Sequence, residues 1–127
     1  MILTGYLLSG LIAVAIVVIG SRFLWDPAAA SRGFGMPDSP SPSTGCAGWL
    51  AVKGVRDIVS GLFVFLLMAG GPPRLLGEFL LVASLIAFGD AAIVLRSGGS
   101  RTAAFGVHGV TALVIIAAGA TLIGATH

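Results

Sequence analysis

Five ionisable residues interrupt otherwise apolar stretches of this 127-residue chain. Lys53, Arg56 and Asp57 lie in one apolar stretch, Asp90 in the next and His108 in the last. The set combines fixed cations, carboxylates and an imidazole that titrates near neutrality, which are groups used in acid–base catalysis. It predicts a site where Asp90, His108 and Asp57 exchange protons with a substrate. Lys53 and Arg56 would stabilise negative charge that develops on that substrate.

The first three charges share one face of a helix. Lys53, Arg56, Asp57 and Ser60 follow the spacing i, i+3, i+4 and i+7, which places side chains in one row. Ser60 therefore joins Lys53 and Arg56 as a predicted substrate-binding residue. Trp25, in the loop that precedes this helix, is the fourth residue of the predicted binding set.

The charged groups also share a depth. Counted at about 1.5 Å per helical residue, Asp57, Asp90 and His108 each lie roughly 9–12 Å inward from the polar end of their apolar stretch. Ionisable groups at such a depth usually face the interior of a bundle, because exposing them to lipid costs free energy. We therefore expect three helices to bring them to one buried polar pocket.

A purely structural role is the alternative. Lys53–Asp57 and Arg56–Asp90 could be ion pairs that fix the register of neighbouring helices, with His108 donating to a backbone carbonyl. Glu78 differs from the others because it lies only about one turn into its apolar stretch. Its carboxylate can reach the surface from there, so we interpret Glu78 as an edge residue.

The elements that carry these residues are membrane helices. Hydrophobic residues make up 57% of the chain and charged residues 9%, with a mean hydropathy of +1.06. A soluble domain has about 25% charged residues, and a membrane-spanning helix needs about 20 apolar ones. We predict an all-α fold: a single integral membrane domain, residues 1–127, built as a four-helix bundle. The predicted spans are 2–21, 48–68, 75–95 and 102–123.

The turns and the first span both bear on this prediction. Short turns after the second and third spans require antiparallel neighbours. A cleaved signal peptide is the competing interpretation of the first span. It is disfavoured because no Lys or Arg precedes the apolar run and the run is too long.

One long amphiphilic loop, residues 22–45, joins the first two spans. Asp26 and Pro27 are typical of a helix N-cap followed by proline at the first helical position, which predicts a short helix over residues 27–31. Phe34 and Met36 add apolar character that suits the membrane interface. We expect residues 25–37 to cover the mouth of the pocket, with a Pro/Ser-rich linker after them.

Arginine counts predict the orientation. Arg22, Arg32, Arg96 and Arg101 flank the first and third loops, whereas Arg74 alone lies on the other side. The positive-inside rule therefore places those two loops in the cytoplasm and both termini outside the cell membrane.

Other partners and cofactors find little support. The net charge of +2 includes no run of Lys or Arg, so no nucleic-acid partner is predicted. Cys46 is the only cysteine, and two histidines without ligand spacing give no metal site. No cofactor motif is present. Gly54 with Gly61, and the Ala120-xxx-Gly124 pair, offer close-packing faces that fit either a homodimer or packing within one bundle.

Several short motifs carry a family resemblance. FGMP after the first span, then KGVRDIVSG, FGD and HG, resemble a family of small four-helix membrane proteins of unknown function in bacteria and fungi. The chain is also loosely similar to DoxX-like proteins. The family resemblance implies a four-helix bundle with Lys53, Arg56, Asp57, Asp90 and His108 as its characteristic polar set. Some family members accompany biosynthetic genes, which favours an enzyme. DoxX-like proteins are linked with respiratory or redox complexes, which favours a partner role.

The sequence thus predicts an intramembrane acid–base pocket for a small lipophilic molecule. Proton-transfer chemistry, an isomerisation or a cyclisation, is the favoured function. A proton-coupled transporter and a non-catalytic subunit of a membrane complex are the alternatives. Small drug exporters share the helix number but carry their essential acid in the first span, which here has none.

Overall fold

A computed structural model describes residues 1–37 and 45–126, and every regular element in them is helical. Five α-helices follow one another along the chain: α1 (Ile2–Trp25), α2 (Pro27–Phe34), α3 (Cys46–Gly70), α4 (Pro73–Arg96) and α5 (Val110–Gly124). A π-helical segment, Ala103–Gly109, leads directly into α5. The predicted all-α class is confirmed. The Pro/Ser linker falls mainly on residues 38–44, which lie outside the described residues.

Among the described residues, three helical stretches are long and apolar enough to cross a membrane: Ile2–Trp25, Pro73–Arg96 and Ala103–Gly124. They mark the chain as a membrane protein. The remaining long helix, α3, has 25 residues and is the one that carries Lys53, Arg56 and Asp57.

Two helix pairs are held together by glycine contacts. α1 packs along α3, where a side chain on Gly54 would meet the Gly20 carbonyl oxygen at 2.6 Å. α4 packs along α5, where a side chain on Gly77 would meet the Gly119 carbonyl oxygen at 2.8 Å. Small residues allow backbones to approach this closely, which is a common basis of helix association in membranes. Gly54 thus packs within one chain rather than facing outward for a second copy.

The two pairs meet mainly through α1 and α5, whereas α3 and α4 have few contacts. A hydrophobic core forms near the end of α3 and the start of α4, around Leu76, Leu80 and Leu122. Each of these three side chains is at most 1% exposed. Towards the opposite end, α3 and α4 leave space between them. That space holds the candidate site.

The short helix α2 crosses this opposite end. The Asp26 side chain accepts a hydrogen bond from the Ala29 N–H at 3.0 Å, so Asp26 caps the helix as the Asp-Pro pair predicts. α2 runs to Phe34, beyond the predicted residues 27–31. It ends at Gly35, whose φ of 95° is a left-handed conformation that favours glycine.

Candidate functional site

An ion pair lies on the face of α3 that lines the space between α3 and α4. The Lys53 Nζ donates to Asp57 Oδ2 at 2.7 Å, one helical turn apart. The Asp57 side chain is only 12% exposed and that of Lys53 is 28% exposed. This is the first of the two ion pairs that the sequence suggested.

Two aromatic rings enclose the same ammonium group. The Lys53 Nζ lies 5.1 Å from the ring centre of Phe23 and 5.0 Å from that of Phe34. Both distances fall within the range of cation–π attraction. Phe23 is buried at the end of α1, and Phe34 comes from α2. Lys53 is therefore held by one carboxylate and two rings from three different helices.

His108 ties α2 to the π-helical segment. Its Nε2 lies 2.9 Å from the Phe34 carbonyl oxygen, and the two rings are 4.5 Å apart. A carbonyl oxygen only accepts hydrogen bonds, so Nε2 carries the proton in this contact. In the neutral imidazole, Nδ1 then remains the nitrogen that can take up a proton. The next residue, Gly35, makes another contact: its carbonyl oxygen accepts a hydrogen bond at 2.8 Å from the N–H of Ser100, just before the π-helical segment.

The π-helical geometry around His108 was not predicted. π-helical turns are rare and often occur at functional sites, because the extra residue redirects the side chains around it. His108 is 7% exposed and faces inward from this segment. The only signal in the sequence is weak: Gly106 and Gly109 lie on either side of His108.

Asp90 lies across the space from the ion pair, on α4. It lines the same cavity as Lys53, Asp57 and His108. Within residues 1–37 and 45–126, no cationic nitrogen comes within 4 Å of its carboxylate. The suggested Arg56–Asp90 ion pair is therefore not formed between these described residues, and Asp90 is the carboxylate left open to the space.

The space itself consists of two adjoining cavities. The deep cavity has a volume of about 860 Å³ and a mostly apolar lining, to which all five α-helices and the π-helical segment contribute. The outer cavity, of about 490 Å³, extends towards the helix ends and is lined by Met36, Trp49 and Ile93. Both volumes are of the size that small-molecule sites have in proteins. The polar cluster borders both cavities, which share these residues: Lys53, Arg56, Asp57, Ser60 and Asp90.

The structure brings together all but one of the predicted site residues. The deep cavity is lined by these six: Lys53, Arg56, Asp57, Ser60, Asp90 and His108. Trp25 is 81% exposed and lines neither cavity, because the chain turns at Asp26 and directs α2, rather than Trp25, over the end of the bundle. The roles assigned to the six residues remain predictions.

Phe23 and Phe34 are absent from the predicted site set, although Phe34 lies in the segment, residues 25–37, that was expected to cover the mouth of the pocket. Each borders both cavities and contacts the Lys53 ammonium. The FGMP motif contains Phe34, but an aromatic residue in an amphiphilic loop indicates only a preference for the membrane interface. Its contact with His108 spans 74 residues of sequence and follows no local spacing rule.

The part of the chain that the structure describes has no set of side chains that could bind a metal ion. No three side chains among its His, Cys, Asp and Glu residues are grouped so that they could hold a metal ion. Glu78 accepts a hydrogen bond from Arg74 Nε at 2.9 Å. The two residues form an exposed ion pair in the first turns of α4.

Fold and site together define a helical membrane protein with a polar cluster beside an apolar cavity. The chain belongs to the family described as "Domain of unknown function (DUF4267)", whose model matches residues 13–122. All six predicted site residues that line the deep cavity fall inside this match. No curated protein and no solved structure matches the chain.

Proposed function

We propose that α3 spans the membrane with the other three long helices, giving a four-helix transmembrane bundle. Its 25 residues correspond to about 37 Å of helix, which exceeds the roughly 30 Å of a bilayer core. The glycine contacts along α1 support this placement, because they align α3 with a helix that has no charged residue before Arg22.

The orientation we propose puts the end that carries α2 in the cytoplasm. Arg22, Arg32, Arg96 and Arg101 all lie at or beyond helix ends on that side, and Arg74 lies on the other. Cys46 is exposed there and serves as a natural reporter. An impermeant thiol reagent added to intact cells should spare Cys46 and label Thr126→Cys in a Cys46→Ser background. The opposite labelling would reverse the orientation.

The function that we propose is binding of a small lipophilic molecule between α3 and α4, followed by proton transfer. One observation carries it: a cluster of acids, bases and cations borders an apolar cavity of about 860 Å³. Apolar pockets with a few convergent polar groups are the usual form of small-molecule sites. The sparse contact between α3 and α4 supports entry of the molecule sideways from the bilayer.

The chemistry assigns each group a role. Asp90 lacks an ion-pair partner among the described residues, so it is the acid–base group that exchanges a proton with the substrate. Asp57 holds Lys53 in place, and Lys53 and Arg56 stabilise negative charge as it develops. His108, fixed through Nε2 by the Phe34 carbonyl, offers Nδ1 as the second proton carrier. An isomerisation or a cyclisation needs no more than such transfers.

A matched pair of substitutions tests the binding step. Ala83 lines the deep cavity, whereas Ala92, on the same helix, is exposed and lines neither cavity. The native protein purified in mild detergent should retain a lipophilic molecule that mass spectrometry of the extract detects. Ala83→Phe should lose that molecule and Ala92→Phe should keep it. Equal retention by both variants would contradict binding in this cavity.

A second experiment separates catalysis from transport. The purified protein should convert the retained molecule, or a close relative of it, in detergent without a membrane gradient. A requirement for sealed vesicles and a proton gradient would favour the transporter. A polar cluster that borders two adjoining cavities also fits alternating access, so this result would keep the site and change its function.

A further inference from the structure

The charges around the deep cavity do not balance. Two arginines, Arg22 and Arg56, line it together with the Lys53–Asp57 pair and Asp90. Lys53 and Asp57 neutralise each other at 2.7 Å. Among the described residues that line the cavity, two arginines and one carboxylate then remain, so its polar end carries excess positive charge.

Arg56 is the less expected of the two arginines. It lies about 15 Å along α3 from the start of that helix at Cys46, too far inward for an ordinary edge residue. Among the described residues no carboxylate lies within 4 Å of its guanidinium, which is exposed where it borders both cavities. A charged side chain inside a bilayer is costly unless an anion or water compensates it.

The shape of the deep cavity adds a second constraint. Its lining covers residues 53–64 of α3 and 79–90 of α4, which is about 16 Å of helix on each side. Beyond the polar end the walls are apolar side chains such as Phe63, Phe79 and Val82. A molecule that fills this space has a polar head at one end and an apolar body that runs towards the middle of the bundle.

We propose, on the basis of the function above, that the molecule is an anionic amphiphile, with a carboxylate or phosphate head bound by Arg56. The planar guanidinium presents paired N–H donors that match either head group. Arg22 adds long-range attraction from the end of α1. Asp90 lies on the opposite wall, where it reaches the part of the molecule next to the head.

A fluorescent fatty acid and its methyl ester, cis-parinaric acid and methyl parinarate, test this inference. Binding is measured with the full chain in phosphatidylcholine nanodiscs, with empty nanodiscs as the blank. The native protein should bind the acid at least about tenfold more tightly than the ester, the gain expected from one charge-assisted hydrogen bond. Arg56→Gln should remove that difference, and Arg56→Lys, which keeps the charge but not the paired donors, should keep only part of it. Arg74→Gln, at the exposed pair with Glu78, is the matched control and should change neither affinity.

The outcomes separate this inference from the proposed function. Equal binding of acid and ester by the native protein would overturn the anionic head and leave a lipophile cavity in place. Binding of neither probe would overturn both. Phosphatidylglycerol in the nanodiscs distinguishes the source of the anion: displacement of the acid by this lipid supports a phosphate head group. Persistence of acid binding in its presence supports a single-chain carboxylate.

Discussion

The two ends of the bundle are built differently from similar apolar helices. At the closed end, around Leu76, Leu122 and the Gly77–Gly119 contact, buried apolar side chains pack closely between the helices. At the open end, where α2 lies, α3 and α4 separate around Lys53 and Asp90. Close glycine contacts occur at both ends, at Gly20–Gly54 and at Gly77–Gly119, but only the closed end is filled by apolar side chains. The open end has charges and aromatic rings with cavities beside them, which is why we propose that the chemistry takes place there.

The largest expected effect lies at the closed end. Leu76 is fully buried, and Leu76→Ala should lower the free energy of unfolding by about 2–5 kcal/mol, because it leaves a cavity in close packing. Ile86→Ala, on the same helix at the open end, removes a side chain that is 51% exposed and borders both cavities. Its cost should stay below about 1 kcal/mol. Thermal unfolding in detergent compares the two. Similar losses would abolish the distinction between the ends.

The next effect concerns the contact between α1 and α3. Gly54→Val would force a side chain against the Gly20 carbonyl and the Phe23 Cβ, so we expect a loss of about 1–3 kcal/mol from overpacking. Gly48→Val, on the same helix, meets nothing within 4 Å and controls for the lower helix propensity of valine. Detergent melting curves of the two variants should differ by several degrees. Coincident curves would show that the contact is looser than described.

A smaller effect distinguishes the two carboxylates of the open end. Asp57→Asn keeps an oxygen for the Lys53 ammonium but no longer neutralises it, which should cost about 1 kcal/mol. Asp90→Asn removes no ion pair between described residues and should cost less than about 0.5 kcal/mol. Chemical denaturation series of both variants provide the comparison. A larger loss for Asp90→Asn would mean that Asp90 has a structural role.

Much of the fold follows from hydropathy. The predicted spans 2–21 and 75–95 lie within α1 and α4 because a bilayer requires uninterrupted apolar length. Hydropathy does not reveal the π-helical segment at the start of the last span, since π and α turns use the same residues. It also left the role of Gly54 and Gly61 open. Both pack against α1, which only the three-dimensional arrangement could decide.

The part of the candidate site that could be predicted is the part that depends on how deep each charged residue lies in its apolar stretch. Asp57, Asp90 and His108 lie at similar distances from the polar ends of their apolar stretches, and antiparallel helices bring equal depths together. What could not be predicted depends on the chain direction after α1. Trp25 points away from the polar cluster, and Phe34 rather than Trp25 contacts it. The position of Phe34 follows from the turn at Asp26 and from the contact between its carbonyl oxygen and His108, which is 74 residues away in the sequence.

The central claim, that the open end performs chemistry, is tested most directly in cells. Lipid extracts of three strains of the natural host are compared by mass spectrometry: native, deletion and Asp90→Asn at native expression level. The account predicts that the Asp90→Asn extract matches the deletion extract, with one lipophilic compound accumulating and another missing, while the protein level is unchanged. An Asp90→Asn extract that matches the native one, beside a deletion extract that differs, would contradict the assignment of Asp90 as the proton-transfer group.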